Sequence, residues 1–327
     1  MNDFRPSTEN LQAIVTELAK PDGRMVGTTG HEAARQNLLE RIQAAGLEGY
    51  HDRGHELAYE AFGSSFTNLF GVVPGSSPDL DPIVLAAHYD TCGIQPGADD
   101  NAAAIAVLLS LAEPLRAAKL ERSVVFAFFD AEEPPYFLTP AMGSNHWYEH
   151  QRQGNVHAAL VLDLVGHAVP IPGWEDLMFV TGMESDPALQ PIVRSEGEKA
   201  RGIRTLPTLT RYVGDMSDYS AFRLDSRPYL FFSCGQWPHY HMPTDTPDRL
   251  DYEKMADFAR YLLGVTIAVS KTELEGPFEG YDTTPFELER MHALGGAMIE
   301  QLGARLESRE DIDAFVGQLL SFGLLGC

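Results

Sequence analysis

The chain has 327 residues, of which 44% are hydrophobic, so it can bury a full core. Its 24 lysines and arginines against 47 acidic residues give a formal net charge of −23. Because such a surface repels nucleic-acid phosphates and anionic lipids, we exclude nucleic acid and membrane as main partners.

The cysteines and the N-terminal residues indicate a compartment. Cys92, Cys234 and Cys327 are an odd number without paired spacing, which predicts neither a disulfide framework nor a CxxC zinc knuckle. We recognise no apolar secretory signal and no run long enough to span a membrane. These observations favour a cytoplasmic, reducing location. A lone cysteine is more often inert than functional, so we expect no chemistry from Cys92 or Cys234.

The first third of the chain predicts two helices and a hairpin. Ser7 precedes apolar residues at helical spacing that end before Pro21. The segment Thr29–Glu32 has the pattern of a capping box that opens a second helix. Alternating residues from Leu57, a glycine turn and the run Phe66–Val73 predict an antiparallel hairpin.

Four continuous apolar runs predict buried parallel strands. The first begins at Ile83, and the others are Ser123–Phe129, Ala158–Leu164 and Pro228–Ser233. Each leads into polar side chains that a core would not accept. The carboxyl ends of such strands form the edge of an open α/β sheet at which ligands bind. We therefore expect the polar residues to converge there.

These polar residues are of the types that hold a metal ion. On a strand, the two-residue spacing of His88 and Asp90 places both on one face. Imidazole and carboxylate groups together suit a hard or borderline ion such as Zn²⁺. The candidate metal ligands are His88, Asp100, Glu133, Asp163 and His241.

The charges of this set fit two dications. Three ligand carboxylates and one hydroxide carry four negative charges, which two Zn²⁺ ions neutralise, and a carboxylate such as Asp100 can bridge both ions. Glu132 and Glu133 are adjacent and project differently, so one can bind metal while the other acts as a general base. Asp90 is placed to accept the second ring N–H of His88, which makes it a further catalytic candidate.

The motifs resemble a known family when taken in order. They are H-x-D, P-G-A-D-D-N-A, E-E after an apolar strand, G-S, L-D, S-D and H-x-x-x-D-T. From roughly Arg24 to Ser270 the chain resembles metallopeptidase family twenty-eight, the co-catalytic di-zinc exopeptidases. The resemblance implies a three-layer αβα sandwich with a mixed, mostly parallel central sheet. It also implies hydrolysis of an amide bond at a peptide terminus, most often the amino end of a short peptide or aminoacyl substrate.

The resemblance also implies roles for single residues. The residue matching Asp100 bridges two zinc ions, and the residue matching Glu132 is the general base. The remaining ligands are Glu133 and His241 for one zinc, and His88 and Asp163 for the other.

Residues beyond the resemblance predict a helical appendage. We divide the chain into a catalytic domain, residues 1–271, and a C-terminal helical hairpin, residues 272–327, because two amphipathic stretches open at Thr284 and Ser308. The hairpin packs on the main domain or forms a protomer interface, and we favour the first.

Two departures from the family concern the substrate pocket. Tyr219 replaces a histidine that often follows the S-D motif, and we expect it to alter the pocket wall. The segment Pro134–Met142 is longer than is usual in the family, and its position directly after the acidic pair predicts that it lines the cleft.

Other functions remain open at this point. A single-zinc glutaminyl-cyclase-like aminoacyl transferase shares the fold, but the full five-ligand set favours two metals and hydrolysis. A carboxypeptidase, a dipeptidase or a non-peptide amidase can use the same metal core. A non-catalytic relative that acts as a receptor or scaffold would typically have lost ligands, whereas this chain retains all five.

Overall fold

A single mixed sheet organises the part of the chain that the computed structural model describes, residues 4–274, 282–301 and 303–321. Its strands are β1 (Glu56–Ala61), β2 (Ser64–Val73), β3 (Ile83–His88), β4 (Val124–Phe129), β5 (Ala158–Leu162), β6 (Leu177–Thr181), β7 (Arg204–Thr208) and β8 (Tyr229–Ser233). They lie in the order β1-β2-β4-β3-β5-β8-β6-β7.

The four strands expected to be parallel are parallel and lie side by side. β3 pairs with β4 and β5, and β5 pairs with β8. Every residue of β3, β4 and β5 is buried, because helices cover both faces of the sheet. Within β3, Leu85 and Ala87 face one core while Val84 and Ala86 face the other, as the two-residue strand period requires. The predicted hairpin is also confirmed as antiparallel β1 and β2.

β6 and β7 were not recognised in the sequence. β6 pairs antiparallel with β8 and parallel with β7. Each has only five residues, and β7 is an edge strand that contains Pro207. A proline in a short, partly polar segment argues against a strand, although an edge position tolerates it.

Eleven α-helices of the described residues surround the sheet. They are α1 (Thr8–Leu18), α2 (Thr29–Ala44), α3 (Ala103–Ser110), α4 (Ala112–Ala118), α5 (Gly143–His146), α6 (Leu189–Lys199), α7 (Thr210–Val213), α8 (Ser220–Leu224), α9 (Tyr252–Lys271), α10 (Thr284–Gln301) and α11 (Arg309–Ser321). Apolar residues of α1, α2, α3 and α9 pack on one face of the sheet, and those of α8 pack on the other. This is the three-layer αβα sandwich that was expected.

One predicted helix start is displaced, and the residues around Asp100 do not form a regular helix. The N-cap of α2 is Thr28, whose side chain accepts a hydrogen bond from the N–H of His31, so the capping residue lies one position before Thr29. Asp100 does not cap a regular helix. It lies in a wide turn, Ala98–Ala102, with extended dihedral angles (φ −110°, ψ 86°), and α3 begins only at Ala103.

The described part of the C-terminal segment contacts the main core. Phe286 of α10 and Phe315 of α11 are buried in the same apolar cluster as α9. The guanidinium of Arg194 in α6 lies over the ring of Phe286, at 4.6 Å from its centre. The division of the chain at residue 271 stays a prediction, and Cys327 lies outside the described residues.

One helical stretch corrects an expectation about membrane spans. Ala98–Ala118 is long and apolar enough to cross a membrane by length and composition, yet 67% of it is buried inside the fold. It includes α3, whose first seven residues are all buried against the sheet and its neighbours. Its hydrophobicity is therefore accounted for by core packing.

Candidate metal centre

The predicted ligands meet at the carboxyl edge of the parallel strands. His88 ends β3, Glu133 follows β4 by four residues, and Asp163 directly follows β5. His241 lies in the loop after β8, and Asp100 lies in the wide turn before α3. The fold thus brings together five residues that are spread over 154 positions of the sequence.

Asp100 lies between the two histidines. Its Oδ1 is 3.2 Å from Nε2 of His88, and its Oδ2 is 3.1 Å from Nε2 of His241. Each carboxylate oxygen therefore faces a different imidazole. This arrangement suits a carboxylate that bridges two cations.

The other acids divide between the two histidines. Asp163 Oδ1 lies 3.6 Å from Nε2 of His88, and Glu133 Oε2 lies 3.1 Å from Nε2 of His241. Glu132 is closer to the first group, with Oε2 3.9 Å from Nε2 of His88. This distance also permits Glu132 to act as a metal ligand. Its role as the general base therefore stays a prediction.

Unpartnered atoms show that this cluster fits a cation. Despite these short distances, six donor atoms of the described cluster are buried and make no hydrogen bond. They are Nδ1 and Nε2 of His88, Oδ2 of Asp100, Oε1 of Glu133, Oδ1 of Asp163 and Nε2 of His241. Leaving buried polar atoms unsatisfied is costly, and a dication coordinated by them would remove that cost. Nitrogen and carboxylate donors are the usual ligands of zinc.

Electrostatics lead to the same conclusion. Burial and the neighbouring charge of Asp100 raise the pKa of Glu133 to about 8. Burial raises the pKa of Glu132 well above its usual range, and the charges of Glu133 and Asp163 add to this. Although burial opposes it, contact with Asp100 and Glu133 raises the pKa of His241 to about 10. Without metal the cluster retains protons, because its negative charges need positive partners.

Asp90 has a different contact from the one predicted. It lies beyond the end of β3, and its Oδ1 is 3.4 Å from Nδ1 of His88 without forming a hydrogen bond. Instead, its two oxygens accept hydrogen bonds from the N–H groups of Glu132 and Glu133, both at 3.1 Å. Asp90 therefore holds the backbone of the acidic pair, a role that spacing along β3 could not indicate.

A second brace links three loops around Asp100. Asp245 accepts hydrogen bonds from the N–H groups of Asp99 and Asp100, at 2.9 and 3.1 Å. Asp99 in turn accepts from the N–H of Gly166 and contacts Nδ1 of His167, both at 2.6 Å. Asp99 and His167 are therefore structural, and Asp245 fixes the turn of Asp100.

Arg24 is a supporting residue that sequence reasoning missed. Its side chain is buried, and its guanidinium donates to the carbonyl oxygens of Tyr89, Pro96 and Gly97 at 2.7 to 2.9 Å. Longer bonds reach the carbonyls of Leu18 and Asp100. These contacts fix the whole loop between His88 and Asp100, whereas the local sequence around Arg24 gives no sign of them.

Backbone conformation is unusual at or next to three residues of the cluster. Ala131, Leu164 and His241 have φ angles of 56°, 54° and 54°. Non-glycine residues rarely adopt this left-handed region, and each such residue costs on the order of 1–3 kcal/mol. These residues adjoin or include Glu132, Asp163 and His241, so the strained backbone lies at the cluster itself.

A cavity of about 320 Å³ opens beside the cluster. The acids Asp100, Glu132, Glu133 and Asp163 line one end. The rest of the wall is mostly apolar and includes Phe137, Leu164, Phe179, Val213, Met216 and Phe231. The lining of this cavity, as far as the chain is described, includes no lysine or arginine.

The long segment lines the cavity as expected, whereas Tyr219 does not line it directly. Pro134 and Phe137 line the cavity. Tyr219 is fully buried away from it, and its hydroxyl bonds to the carbonyl of Gly214 and the N–H of Met216. Its effect on the wall is therefore indirect, through the loop that carries Met216.

The fold and the clustered ligands define a metal-dependent hydrolase of the zinc exopeptidase type. The model of the family described as "Peptidase family M28" matches residues 68–266. The chain therefore belongs to peptidase family M28, a family of zinc metallopeptidases, as its motifs indicated.

Relatives of this chain include both named and uncharacterised proteins. "Uncharacterized protein YfbL" of Escherichia coli is 28% identical over 53% of this chain and 62% of its own length. "Probable leucine aminopeptidase 1" of Trichophyton verrucosum is 25% identical over 81% of this chain and 74% of its own length.

Solved structures share the fold. A glutaminyl cyclase of Bacteroides thetaiotaomicron has a TM-score of 0.64, with 21% identity over 80% of this chain and 99% of its own. A leucine aminopeptidase precursor of the same species has a TM-score of 0.63, with 21% identity over 80% and 97%. At this identity the likeness concerns architecture alone, so the choice between the two reactions depends on this chain's residues.

Proposed function

We propose that the chain is a di-zinc aminopeptidase that removes apolar residues from the amino end of short peptides. The observation that carries this proposal is the cavity, which opens at the candidate ligand cluster, has a mostly apolar wall and includes no lysine or arginine among its described lining residues. An apolar side chain fits against Phe179, Val213 and Met216, and no lysine or arginine of the described lining repels a substrate ammonium group.

The same cavity disfavours a carboxypeptidase. Recognition of a terminal carboxylate typically uses arginine or lysine, because a buried carboxylate needs a charged partner. The described lining of the cavity supplies neither. The negative charge of the whole chain acts in the same direction and favours approach by amines.

In the proposed reaction, Glu132 carries the proton. When bound, the zinc ions supply Lewis-acid polarisation of the scissile carbonyl and acidify water. Glu132 accepts a proton from the attacking water and returns it to the departing amine. Burial raises the pKa of this carboxyl, and nearby metal charge would counteract that rise and keep it available as a base.

Glutaminyl cyclisation is the second candidate, favoured by the structural likeness to a glutaminyl cyclase. That reaction also needs a free amino terminus, but its substrate side chain is a polar amide. The retention of His88 together with Asp163 and the apolar wall support hydrolysis instead. We also place the reaction in a reducing compartment, which suits the free thiols of Cys92 and Cys234.

A substrate panel tests the proposal. We expect leucine amide and leucyl dipeptides to be cleaved by the zinc-loaded enzyme, and the same compounds with an acetylated amino group to be resistant. Cleavage of acetylated dipeptides that carry a free carboxylate would contradict it in favour of a carboxypeptidase. Formation of pyroglutamyl product from glutaminyl peptides, without leucine release, would establish the cyclase.

A further inference from the structure

We propose that Cys92 is an additional protein ligand at the metal position formed by Asp100, Glu133 and His241. The inference depends on the metal centre of the proposed function and adds a donor to it. It also reverses the expectation that this thiol is inert.

The first observation is the position of the sulfur. The Sγ of Cys92 and the ligand atoms of Glu133 and His241 all lie within 4.8 Å of one another. That spacing allows three donors to share one ion. The second observation is independent of the cysteine: Oε1 of Glu133 and Nε2 of His241, which belong to this group of residues, are buried without hydrogen-bond partners, and Glu133 is only 4% exposed.

The backbone around the thiol is held in place. The hydroxyl of Thr91 accepts a hydrogen bond from the N–H of Arg24 and donates one to the carbonyl of Gly93, both at 2.8 Å. These bonds fix the residues on either side of Cys92. Because the guanidinium of Arg24 also binds the loop that carries Asp100, one residue positions both segments, through its backbone N–H at Thr91 and through its side chain at Gly97 and Asp100.

A thiolate here would make the two metal positions different. One metal position is formed by His88, Asp163 and Asp100, which both positions share. Its three protein donors are all nitrogen or oxygen. The other position would gain a sulfur donor beside Glu133 and His241. On binding, the Cys92 S–H bond breaks, its proton passes to solvent, and the sulfur donates an electron pair to the ion. Soft thiolate ligands select Zn²⁺ over harder ions such as Mn²⁺, so this position should be the tighter and more zinc-selective one.

Cobalt titration of the metal-free protein tests this assignment. We expect two equivalents of Co²⁺ to bind, and only one of them to produce a near-ultraviolet sulfur-to-cobalt charge-transfer band. The variant Cys92→Ser should bind cobalt without the band and should weaken one Zn²⁺ affinity by about tenfold or more. The matched variant Cys234→Ser, at a buried thiol outside the cluster, should keep the band.

A thiol-labelling measurement on the unmodified protein makes the test independent of variants. Cys92 is half-buried and should react with a thiol reagent in the metal-free protein, and Zn²⁺ should protect it. Two bound cobalt ions without the band, or a band that persists in Cys92→Ser, would overturn the inference and leave the proposed function intact. Failure of the protein to bind any metal would overturn both.

Discussion

Replacement of Asp90 by asparagine should misplace the acidic pair. The carboxylate of Asp90 accepts hydrogen bonds from the N–H groups of Glu132 and Glu133, both at 3.1 Å. Asparagine keeps one acceptor oxygen and turns an NH₂ group toward the other N–H. One charge-assisted bond, about 1.5–3 kcal/mol, is lost, and the other falls to the strength of a neutral bond, so the total cost is about 3 kcal/mol.

This cost converts into a measurable change in melting temperature. Unfolding entropy is about 2.1 cal/mol/K per residue, or about 0.7 kcal/mol/K for this chain, so 3 kcal/mol lowers Tm by about 4 °C. The kcat should fall together with Tm, because Glu132 is no longer held in place.

Calorimetry and steady-state kinetics check both effects. The exposed Asp52 provides a control, since Asp52→Asn should change Tm by less than about 1 °C. If Asp90→Asn had the same Tm as the control variant and an unchanged kcat, the structural role assigned to Asp90 would be refuted.

Three further changes address the ligands and the base. Glu132→Gln should retain zinc, measured by atomic absorption, and lose hydrolysis by about 10²–10⁴-fold, so full activity would remove its role as base. Asp100→Ala should lose zinc, and an unchanged zinc content would argue against bridging. In the metal-free protein, the pKa of Glu133 is raised from 4.5 to about 8, mainly by burial. The folded state therefore binds this proton more tightly than the unfolded state, and the free energy of unfolding should fall as pH rises from 4.5 through about 8. Zinc should remove that loss, and thermal melts with and without chelator measure the difference.

The convergence of the candidate ligands was predictable because of where parallel strands end. β3, β4, β5 and β8 are buried on both faces, so each appears as a continuous apolar run, and a polar residue directly after it stands out. The resemblance then assigned the individual residues. The existence and order of these elements followed from pattern, whereas β7, with its proline and its edge position, had no such signal.

The supporting contacts were not predictable for a physical reason. Arg24 binds carbonyl oxygens up to 76 positions away, and Asp245 binds N–H groups 145 and 146 positions away. Almost every residue has the same backbone N–H and carbonyl groups, so the sequence does not reveal which backbone group such a side chain binds. Asp90 illustrates the limit: its importance was visible, but its acceptor role became clear only once the acidic pair was folded against it.

Part of the wall of the cavity has a different origin from its reactive end. Phe179 and Thr181 come from β6, Thr208 from β7 and Val213 from α7, and none of these elements supplies a candidate ligand. Mutations there can reshape which side chain fits while leaving the ion-binding groups untouched. Substrate selectivity can therefore change separately from metal binding. Enzymes that share this metal centre can differ in the substrate side chain that they accept.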